Sequence, residues 1–586
     1  MRLLALIKTS LLLGVMLGGI HARAGDHPEP ADYLFLEAKV VTAGPGFPVH
    51  QAVAVRGDRI VAVGKDADLA AFRGPSTVTI RCQGALILPG LYDNQVHSYE
   101  ASVTELTNSS PRFPSLDAAL GFIRQQAATN KPGTWIRIDH AYPTRLKECR
   151  LPTLEELDDA STNCPIQWDA GQVCMINTKA MEVSGITNAT RNPPGGEIVR
   201  DPVTLKATGL LRKANGILKT PPPPKAPSVE ERRQALRHLY SLYNEQGITS
   251  IGEQDCDSEA LALFRDMATN SELTVRLNCT RLLKLGTNTD ESLLNLKALT
   301  NGPGNSQSGP TGRGDEWVHI GPLKTVMDGD LLTGTAYLRT PWGIGPTYQI
   351  TEPADRGLLF QDQDVLTDTY LAAARGGWQL TSQCAGDGAV DVLLRTYKRI
   401  QLKTNISTRR FLITQGGFQI EQNWDHCQEL GLCAMLQPMS LYEDGHSLQT
   451  GLGAHRMRFF LPLRTWVEQG IRIGGGSDHR FGLDPANSIN PYSPWLGMWV
   501  VLTRQSRQGT IVNAAESISR EEAIRFYTIN NAYLNFEDSF KGSLEVGKLA
   551  DLIVIDKDIL KCPVDDIPKT KVVLTMVGGK MVWQAQ

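Results

Sequence analysis

The sequence predicts an α/β protein in which a (β/α)8 barrel carries a small β-sandwich built from both ends of the chain. The middle of the chain alternates helical periodicity with short apolar runs that are typical of buried strands. Alternating strand and helix units indicate a parallel sheet, and their number favours a closed TIM-type barrel. Segments with a strand pattern stand near both ends, where they can pair with each other. A chain of 586 residues is long enough for both parts.

The first 24 residues predict a secretory signal peptide. Arg2 and Lys8 supply positive charge, an apolar stretch covers residues 11–20, and the small residues Ala22 and Ala24 fit a cleavage site. The apolar stretch is shorter than the roughly 20 residues that a membrane span needs. We therefore expect cleavage, a periplasmic or secreted mature protein and no membrane partner.

Strand patterns at the two ends predict the sandwich. Gly57 and Asp58 separate two apolar runs near the N-terminus, which indicates a hairpin, and Gly578 and Gly579 do the same near the C-terminus. The predicted strands are 33–41, 51–63, 76–81, 550–555 and 571–582. We therefore assign residues 1–24 to the signal peptide, 25–88 and 541–586 to the sandwich, and 89–540 to the barrel.

The segment between these ends predicts the barrel. Its predicted helices are 115–128, 229–246, 367–376, 387–398 and 520–535, and its clearest strands are 318–326, 411–413 and 471–473. The proline tract 221–224 predicts a rigid extended spacer. The stretch 301–314 is rich in Gly, Ser and Pro and predicts a surface loop.

Composition excludes several classes of protein. A formal net charge of −3 with 41% hydrophobic and 21% charged residues is that of an ordinary globular protein, so we expect a small-molecule partner and no nucleic acid. The ten cysteines form no CxxC pair, which argues against a zinc ribbon or a thioredoxin-like motif. In an exported protein, Cys427 with Cys433 and Cys149 with Cys164 are candidate disulfides by sequence proximity.

The stretch LPGLYDNQVH at residues 88–97 delivers polar side chains to the end of a predicted strand. It resembles the entrance motif of the amidohydrolase superfamily, in which a Pro-Gly precedes an Asp and a His-any-His pair. Further motifs resemble family 3 of that superfamily, the N-substituted formamide deformylase-like group. They are PPGGEIVRD (193–201), TGLLR (208–212), GITSIGEQD (247–255), LKTVMDGDLLTGTAYL (323–338), AGDGAVD (385–391), LQPMSLYEDG (436–445), GGSDHR (475–480), YTINNAY (527–533) and GSLEVGKLAD (542–551). The resemblance covers nearly the whole mature chain.

The resemblance implies a divalent metal such as zinc at the C-terminal face of the barrel, where it activates a water and polarises the scissile carbonyl. Family ligands are a His pair after strand one, a Lys on strand four, His residues after strands five and six, and an Asp after strand eight, which is also the general base. His97, Lys324 and Asp478 match three of these positions. Glutamine stands at four positions where relatives carry histidine: Gln95, Gln172, Gln383 and Gln415.

These glutamines change the expected chemistry. A neutral amide oxygen is a poor ligand for zinc, so three lost coordinating imidazoles predict that tight binding of the usual metal is abolished. Glutamine keeps hydrogen-bonding capacity and reach, which predicts a metal-free polar site. If a metal is held, His97 and Asp478 are its predicted ligands.

The candidate catalytic residues are therefore Asp478, His97 and Lys324. The predicted pocket residues are Gln95, Gln172, Gln383, Gln415 and Asp328. Simpler interpretations stand beside these roles. Without a metal, Lys324 is expected to be a plain ammonium paired with Asp478 or Asp328. Asp328 is also expected to shape a loop, and His479 to be a satisfied surface or rim histidine.

Two classes of function stay open. The first is an exported hydrolase that acts on a non-peptide carbon–nitrogen bond of a small amide or formamide, as the resemblance implies. The second is a metal-free descendant that binds a small molecule or carries out different chemistry in the same pocket. Cys256 and Cys384 can reach the barrel mouth as nucleophiles, although a disulfide or a buried thiol is the simpler interpretation.

Overall fold

The computed structural model describes residues 28–107, 111–222, 225–301, 309–419 and 421–585. The predicted signal peptide lies outside these residues, as do residues 223–224 of the proline tract and 302–308 of the predicted surface loop. Within the described ranges, no helix combines the length and the apolarity that crossing a membrane requires.

The strands and helices follow in chain order. The strands are β1 (Tyr33–Leu36), β2 (Lys39–Val41), β3 (Val49–His50), β4 (Ala52–Arg56), β5 (Arg59–Gly64), β6 (Val78–Arg81), β7 (Leu86–Pro89), β8 (Leu91–Val96), β9 (Ile136–Ile138), β10 (Ile166–Asp169), β11 (Val173–Ile176), β12 (Glu197–Arg200), β13 (Ala207–Arg212), β14 (Ile248–Glu253), β15 (Arg276–Leu282), β16 (Val318–Val326), β17 (Leu380–Cys384), β18 (Leu412–Gln415), β19 (Cys433–Leu436), β20 (Ile473–Gly475), β21 (Leu552–Ile555), β22 (Val572–Val577) and β23 (Lys580–Gln584). The helices are α1 (Asp66–Leu69), α2 (Ser98–Ala101), α3 (Leu116–Thr129), α4 (Leu154–Ala160), α5 (Thr178–Ser184), α6 (Val229–Glu245), α7 (Ser258–Thr269), α8 (Thr289–Asn301), α9 (Gln363–Arg375), α10 (Asp387–Gln401), α11 (Trp424–Glu429), α12 (Pro438–Met457), α13 (Leu463–Glu468), α14 (Pro494–Thr503), α15 (Arg520–Phe526) and α16 (Ile529–Leu534).

Both ends of the chain contribute to the sandwich, as the sequence predicts. One sheet has the order β23-β22-β21-β7-β2-β3, so C-terminal strands pair directly with N-terminal ones, with Ile553 opposite Leu88. The second sheet has the order β5-β4-β1-β6. Side chains from both sheets, among them Phe35, Val53 and Leu552, share one buried apolar cluster. The predicted hairpins β4–β5 and β22–β23 are both present.

The eight strands β8 and β14 to β20 form a parallel sheet that curls into a barrel. A further parallel bridge between Val96 and His479 brings the first strand against the segment that follows the last one. Parallel pairing places the carboxyl ends of all eight strands at one mouth, where such barrels carry their functional groups. The predicted (β/α)8 barrel is confirmed.

Gly90 joins the sandwich to the barrel, between β7 and β8. A Cβ atom at this position would lie 2.1 Å from Oγ1 of Thr249 on the neighbouring barrel strand. The Thr249 side chain occupies the space that a Cβ atom would need, which explains the glycine in the Pro-Gly step of the opening motif.

The predicted barrel helices are largely present, with one division. The helix predicted at 229–246 is α6, which begins with a capping box between Ser228 and Glu231. The helix predicted at 520–535 is two helices, α15 and α16. Thr528 interrupts them because its backbone leaves helical geometry (φ −136°, ψ −105°) and its hydroxyl donates to the carbonyl of Ile524 at 2.6 Å.

A separate five-stranded sheet lies between the first and second barrel strands in sequence. Its order is β12-β13-β11-β10-β9, and α3, α4 and α5 accompany it. The helix predicted at 115–128 therefore corresponds to α3 of this insertion and is not a helix of the barrel wall. The insertion reaches the barrel through Arg145, whose guanidinium pairs with Asp444 on α12 at 3.0 Å.

A buried polar network fills the amino-terminal end of the barrel, opposite the mouth. The Glu537 carboxylate lies 2.5 Å from Nε2 of His319 on β16 and forms an ion pair with Lys541 at 2.8 Å. Lys541 also donates to Ser250 Oγ at 3.1 Å. Burial alone would raise the pKa of Glu537, but the charges of Lys541 and His319 outweigh it and lower that pKa to about 2.

All ten cysteines are free thiols, so neither proposed disulfide is formed. Cys427 and Cys433 are both buried in the barrel wall, one on α11 and the other on β19. Cys149 contacts Ser447 Oγ at 3.2 Å instead of Cys164. Nearness in sequence was a poor guide here because intervening elements direct the thiols to different neighbours.

Candidate functional site

Predicted site residues lie at the barrel mouth, on or after successive barrel strands in the order that the sequence predicts. Lys324 lies on the fourth barrel strand, Gln383 and Gln415 lie at the ends of the fifth and sixth, and Asp478 follows the eighth. Gln415 and Asp478 have positive φ angles of 64° and 60°. Non-glycine residues adopt this backbone conformation at a cost in free energy. Residues strained in this way cluster at functional sites.

His97 and Gln95, from the first strand, both contact the Asp478 carboxylate. Gln95 Nε2 donates to Asp478 Oδ1 at 2.8 Å, and His97 Nε2 lies 3.5 Å from the same oxygen. Gln437, at the end of β19, donates to Oε1 of Gln95 and so fixes the direction of its amide. The amide nitrogen of Gln95 therefore faces the carboxylate, and its oxygen faces away.

Lys324 pairs with Asp255, which follows the second barrel strand. The distance from Lys324 Nζ to Asp255 Oδ1 is 3.0 Å, and His97 Nδ1 lies 3.8 Å from the other oxygen, Oδ2. The expected pairing of Lys324 with Asp478 or Asp328 is thus replaced by one with Asp255, a residue that the sequence reading did not select. In the sequence, only the acidic and polar end of the motif GITSIGEQD marks Asp255.

Both carboxylates at the mouth are held in the ionised form. Burial raises the pKa of Asp478, but contacts with His97, the charge of Lys324 and the hydrogen bond from Gln95 lower it below its usual value. Burial likewise raises the pKa of Asp255, and Lys324 and His97 lower it further than burial raises it. His97 therefore lies between two anionic groups that belong to different strands.

A model of the amidohydrolase family matches residues 78–583 of the chain. The chain belongs to the amidohydrolase family. It is 26% identical to an N-substituted formamide deformylase of Arthrobacter pascens over 94% of this chain and 98% of that protein. It is also 26% identical to Protein LONG AFTER FAR-RED 3 of Arabidopsis thaliana, over 94% of this chain and 92% of that protein. A solved structure of an uncharacterized metal-dependent hydrolase from Pyrococcus furiosus superposes with a TM-score of 0.60 at 19% identity, covering 90% of this chain and 100% of that one.

The mouth of this amidohydrolase does not fit the divalent metal that its family implies. Gln95 and Lys324 present hydrogen-bond donors, Nε2 and Nζ, to the carboxylates of Asp478 and Asp255. An ammonium paired within the site repels a cation, and an amide nitrogen cannot coordinate one. Among the described residues, no group of three or more His, Cys, Asp or Glu side chains is arranged to hold a metal ion. We therefore derive no step through a metal.

The other predicted pocket residues lie at different depths. Gln383 and Gln415 are half-buried at the mouth. Gln172 lies in the turn between β10 and β11 of the insertion, where its carbonyl accepts from the backbone of Lys213 at 2.9 Å. The structure does not bring its side chain into contact with the mouth residues described above.

Asp328 shapes a loop. Its carboxylate accepts three backbone hydrogen bonds, from Tyr337, Ala385 and Gly386, each at 2.9 Å. Burial raises the pKa of Asp328 to about 7 against the opposing effect of these bonds. The oxygens of Asp328 are occupied by the backbone, so this residue supports the loop wall and is not placed to contact a ligand.

His479 is satisfied but buried, and is therefore not a surface residue. Its Nδ1 lies 2.8 Å from the hydroxyl of Tyr243 and its Nε2 2.6 Å from the carbonyl of Gly482. Burial lowers its pKa to about 4, so the ring is neutral near pH 7. The thiols of Cys256 and Cys384 are also buried. A hydrogen bond with Cys279, together with burial, raises the pKa of Cys256 well above the usual range, and burial does the same for Cys384, which disfavours the nucleophilic thiolate at both positions.

A cavity of about 70 Å³ opens beside Asp478. Its polar wall contains Asp478, Gln415, Asp330 and the ion pair of Arg145 with Asp444. Its apolar wall is formed by Leu331, Leu332, Met439, Leu448, Phe460 and Leu461. A second cavity, of about 460 Å³, lies on the side of His97 and Asp255. The contact between His97 and Asp478 thus stands between two chambers.

Proposed function

We propose that this amidohydrolase hydrolyses the carbon–nitrogen bond of a small amide or formamide, without a resident transition metal. The observation that carries the proposal is the shared cavity wall of Asp478 and Gln415, which sets a carboxylate beside a carboxamide. The carboxylate can accept a proton from water, and the carboxamide can donate to a developing oxyanion. The similarity to an N-substituted formamide deformylase supports this class of substrate.

The proposed step balances without a co-reactant other than water. A water oxygen attacks the carbonyl carbon while Asp478 takes one of its protons, and the carbonyl oxygen becomes an oxyanion that accepts a hydrogen bond from Gln415. The carbon–nitrogen bond then breaks with its electron pair on nitrogen, and the proton held by Asp478 moves to the leaving amine. The products are a carboxylic acid and an amine. His97, Gln95 and Lys324 favour the ionised form of Asp478 before the attack and keep its carboxyl group oriented throughout.

A second candidate is a small-molecule binding protein that uses the same cavity. The lowered pKa of Asp478 favours it, because a carboxylate with a low pKa is a weak base towards water. The same ionised carboxylate is a good acceptor for an N–H group of a bound ligand.

One experiment separates the two candidates. The purified mature chain is assayed with N-formyl and N-acyl amines, with and without a chelator, and its metal content is measured by elemental analysis. For the hydrolase we expect turnover that ignores the chelator and falls at least about 100-fold in Asp478→Asn. Asp484→Asn is the matched control, since Asp484 is an exposed residue of the same loop that accepts only local backbone and amide bonds.

The outcomes of this experiment distinguish the hydrolase from the binding protein and test the metal-free mechanism. Binding of these amides without turnover favours the binding protein. Turnover that a chelator abolishes, with about one equivalent of metal in the protein, overturns the metal-free mechanism. Equal losses in Asp478→Asn and Asp484→Asn would remove Asp478 from the mechanism.

We also propose export of the mature protein, on the pattern of charge, apolar run and small residues in the first 24 residues. Mass spectrometry of the protein from its native cells tests this. The expected mature form begins at Gly25, and an intact N-terminus in a cytosolic fraction contradicts export.

A further inference from the structure

The cavity beside Asp478 contains one acidic side chain that has no basic side chain against it. Three carboxylates line it: Asp478, Asp444 and Asp330. His97 lies against Asp478, and Arg145 pairs with Asp444. Across the described part of the chain, no lysine, arginine or histidine forms an ion pair with Asp330. The cavity therefore presents a net negative charge at this point of its wall.

Arg145 cannot supply the missing charge. Its Nε and Nη2 donate to the two oxygens of Asp444 at 3.0 and 3.1 Å, and its Nη1 donates to the carbonyl of Ile489 at 2.6 Å. Thr144 adds a further bond to Asp444 at 2.7 Å. The guanidinium is thus committed to a neutral pair within the wall. Among the described residues that line this cavity, no other cation is available to an anionic ligand.

The contacts of Asp330 are all with neutral groups. The backbone nitrogen and the hydroxyl of Thr333 donate to Oδ1 at 2.8 and 2.6 Å. Burial raises the pKa of Asp330 to about 6, against these bonds. A carboxylate that is half-buried without a counter-charge is costly, and an ammonium group placed against it relieves that cost.

Apolar side chains form much of the remaining cavity wall, beside the polar residues Gln415, Ser440, Ser477 and Asn490. Six large apolar side chains face the same space as Asp330, and among them Phe460 and Met439 are almost fully buried. Apolar walls with a few placed polar groups are typical of small-ligand sites, where the polar groups fix orientation. The wall therefore suits a compact apolar body that carries a positive charge at one point.

We infer that this cavity binds a cationic amine with an apolar body, with the ammonium against Asp330, so that the substrates are amides that carry such a group. The inference rests on the proposed function for the reaction that the substrate undergoes. It rests on the cavity for the charge that the substrate carries. Amides with a carboxylate, such as N-acyl amino acids, are excluded from the site by the same charges.

Three probes of nearly equal size test the inference on the full chain: benzylamine, benzyl alcohol and benzoate. Binding is measured by isothermal titration calorimetry at pH 8, where Asp330 is ionised and benzylamine is cationic. We expect benzylamine to bind about tenfold more tightly than benzyl alcohol, and benzoate to bind more weakly than both. Equal affinities for benzylamine and benzyl alcohol, or tightest binding of benzoate, would overturn the inference.

Asp330→Asn assigns the preference to its residue. The asparagine oxygen can still accept from Thr333, so the loop is retained while the charge is removed. We expect the variant to bind benzylamine no better than benzyl alcohol. Asp362→Asn is the matched control, because Asp362 is an exposed helix cap with backbone bonds at 2.9 and 3.1 Å and lies outside the cavity. If Asp330→Asn still prefers benzylamine to benzyl alcohol, the assignment of the preference to Asp330 is overturned. The comparison of the three probes on the unmodified chain needs no variant.

The binding assay tests the cation site and the amide assay tests the proposed function, so either claim can be overturned without the other. A preference for benzylamine without turnover of any amide would overturn the proposed function and leave the cation site standing. Turnover of neutral amides without any preference for amines would overturn the cation site and leave the hydrolase standing.

Discussion

The pairing of Lys324 with Asp255 gives the sharpest energetic prediction at the barrel mouth. The perturbation is Lys324→Met, which removes the ammonium while keeping much of the side-chain volume. At 3.0 Å and an effective dielectric constant of about 20, the attraction between the two charges is about 5 kcal/mol. The cost of desolvating both groups offsets part of it, and breaking a buried pair from one side costs about 3–5 kcal/mol.

The exposure of the two partners places the expected effect at or below the lower end of this range. The side chain of Lys324 is 2% exposed, but that of Asp255 is 29% exposed, so water can solvate the carboxylate that is left behind. We therefore expect Lys324→Met to lower the free energy of unfolding by about 2–3 kcal/mol. Asp255→Asn in the same background should recover about 2 kcal/mol of this loss, because the unpaired charge is then absent.

Calorimetric unfolding of the two single variants and the double variant measures this coupling. The matched comparison is Lys324→Met with Asp478→Asn, since Lys324 acts on Asp478 through charge at longer range. We expect a coupling below about 0.5 kcal/mol for that pair. A larger coupling with Asp478 than with Asp255 would refute the pairing, and so would a Lys324→Met variant as stable as the unmodified chain.

Three further predictions concern the barrel floor, the insertion and the metal. Glu537→Gln should lower the free energy of unfolding by about 3 kcal/mol above pH 4.5. This loss should shrink as the pH falls towards about 2, the pKa of the Glu537 carboxyl in the folded protein. Calorimetric unfolding across this pH range checks the prediction. Arg145→Met should cost about 3–5 kcal/mol in urea unfolding, because it strands a carboxylate that is 1% exposed; a loss below 1 kcal/mol would contradict the pairing. Returning the three glutamines of strands one, five and six to histidine should raise bound zinc to about one equivalent by elemental analysis, and unchanged metal content would contradict the ligand argument.

Positions along the barrel strands were predictable from the sequence. His97, Lys324 and Asp478 lie on or just after the strands that the family resemblance implies for them, and a parallel barrel brings the carboxyl ends of these strands to one mouth. The partners of these residues were not predictable in the same way. Asp255 turns towards Lys324 with a φ of 52°, a backbone conformation that no residue pattern in its motif signals.

The insertion was hidden for a related reason. Strands β9 to β13 contain three to six residues each, and most of their pairing is antiparallel with neighbours that the sequence does not mark. The strong helical pattern of α3 was read correctly as a helix. It was placed in the barrel wall because periodicity reports how a helix is buried and does not report against which sheet it packs.

Charge balance sets the polarity of the mouth and of the cavity beside it. Lys324 supplies an ammonium to Asp255, and Gln95 donates a neutral hydrogen bond to Asp478. One ammonium does not by itself neutralise these two carboxylates. Asp330 adds a further carboxylate to the cavity wall, and among the described residues no lysine, arginine or histidine forms an ion pair with it. A ligand that brings a positive charge offsets these carboxylates, so selectivity should follow the charge of the substrate more than the identity of its acyl group.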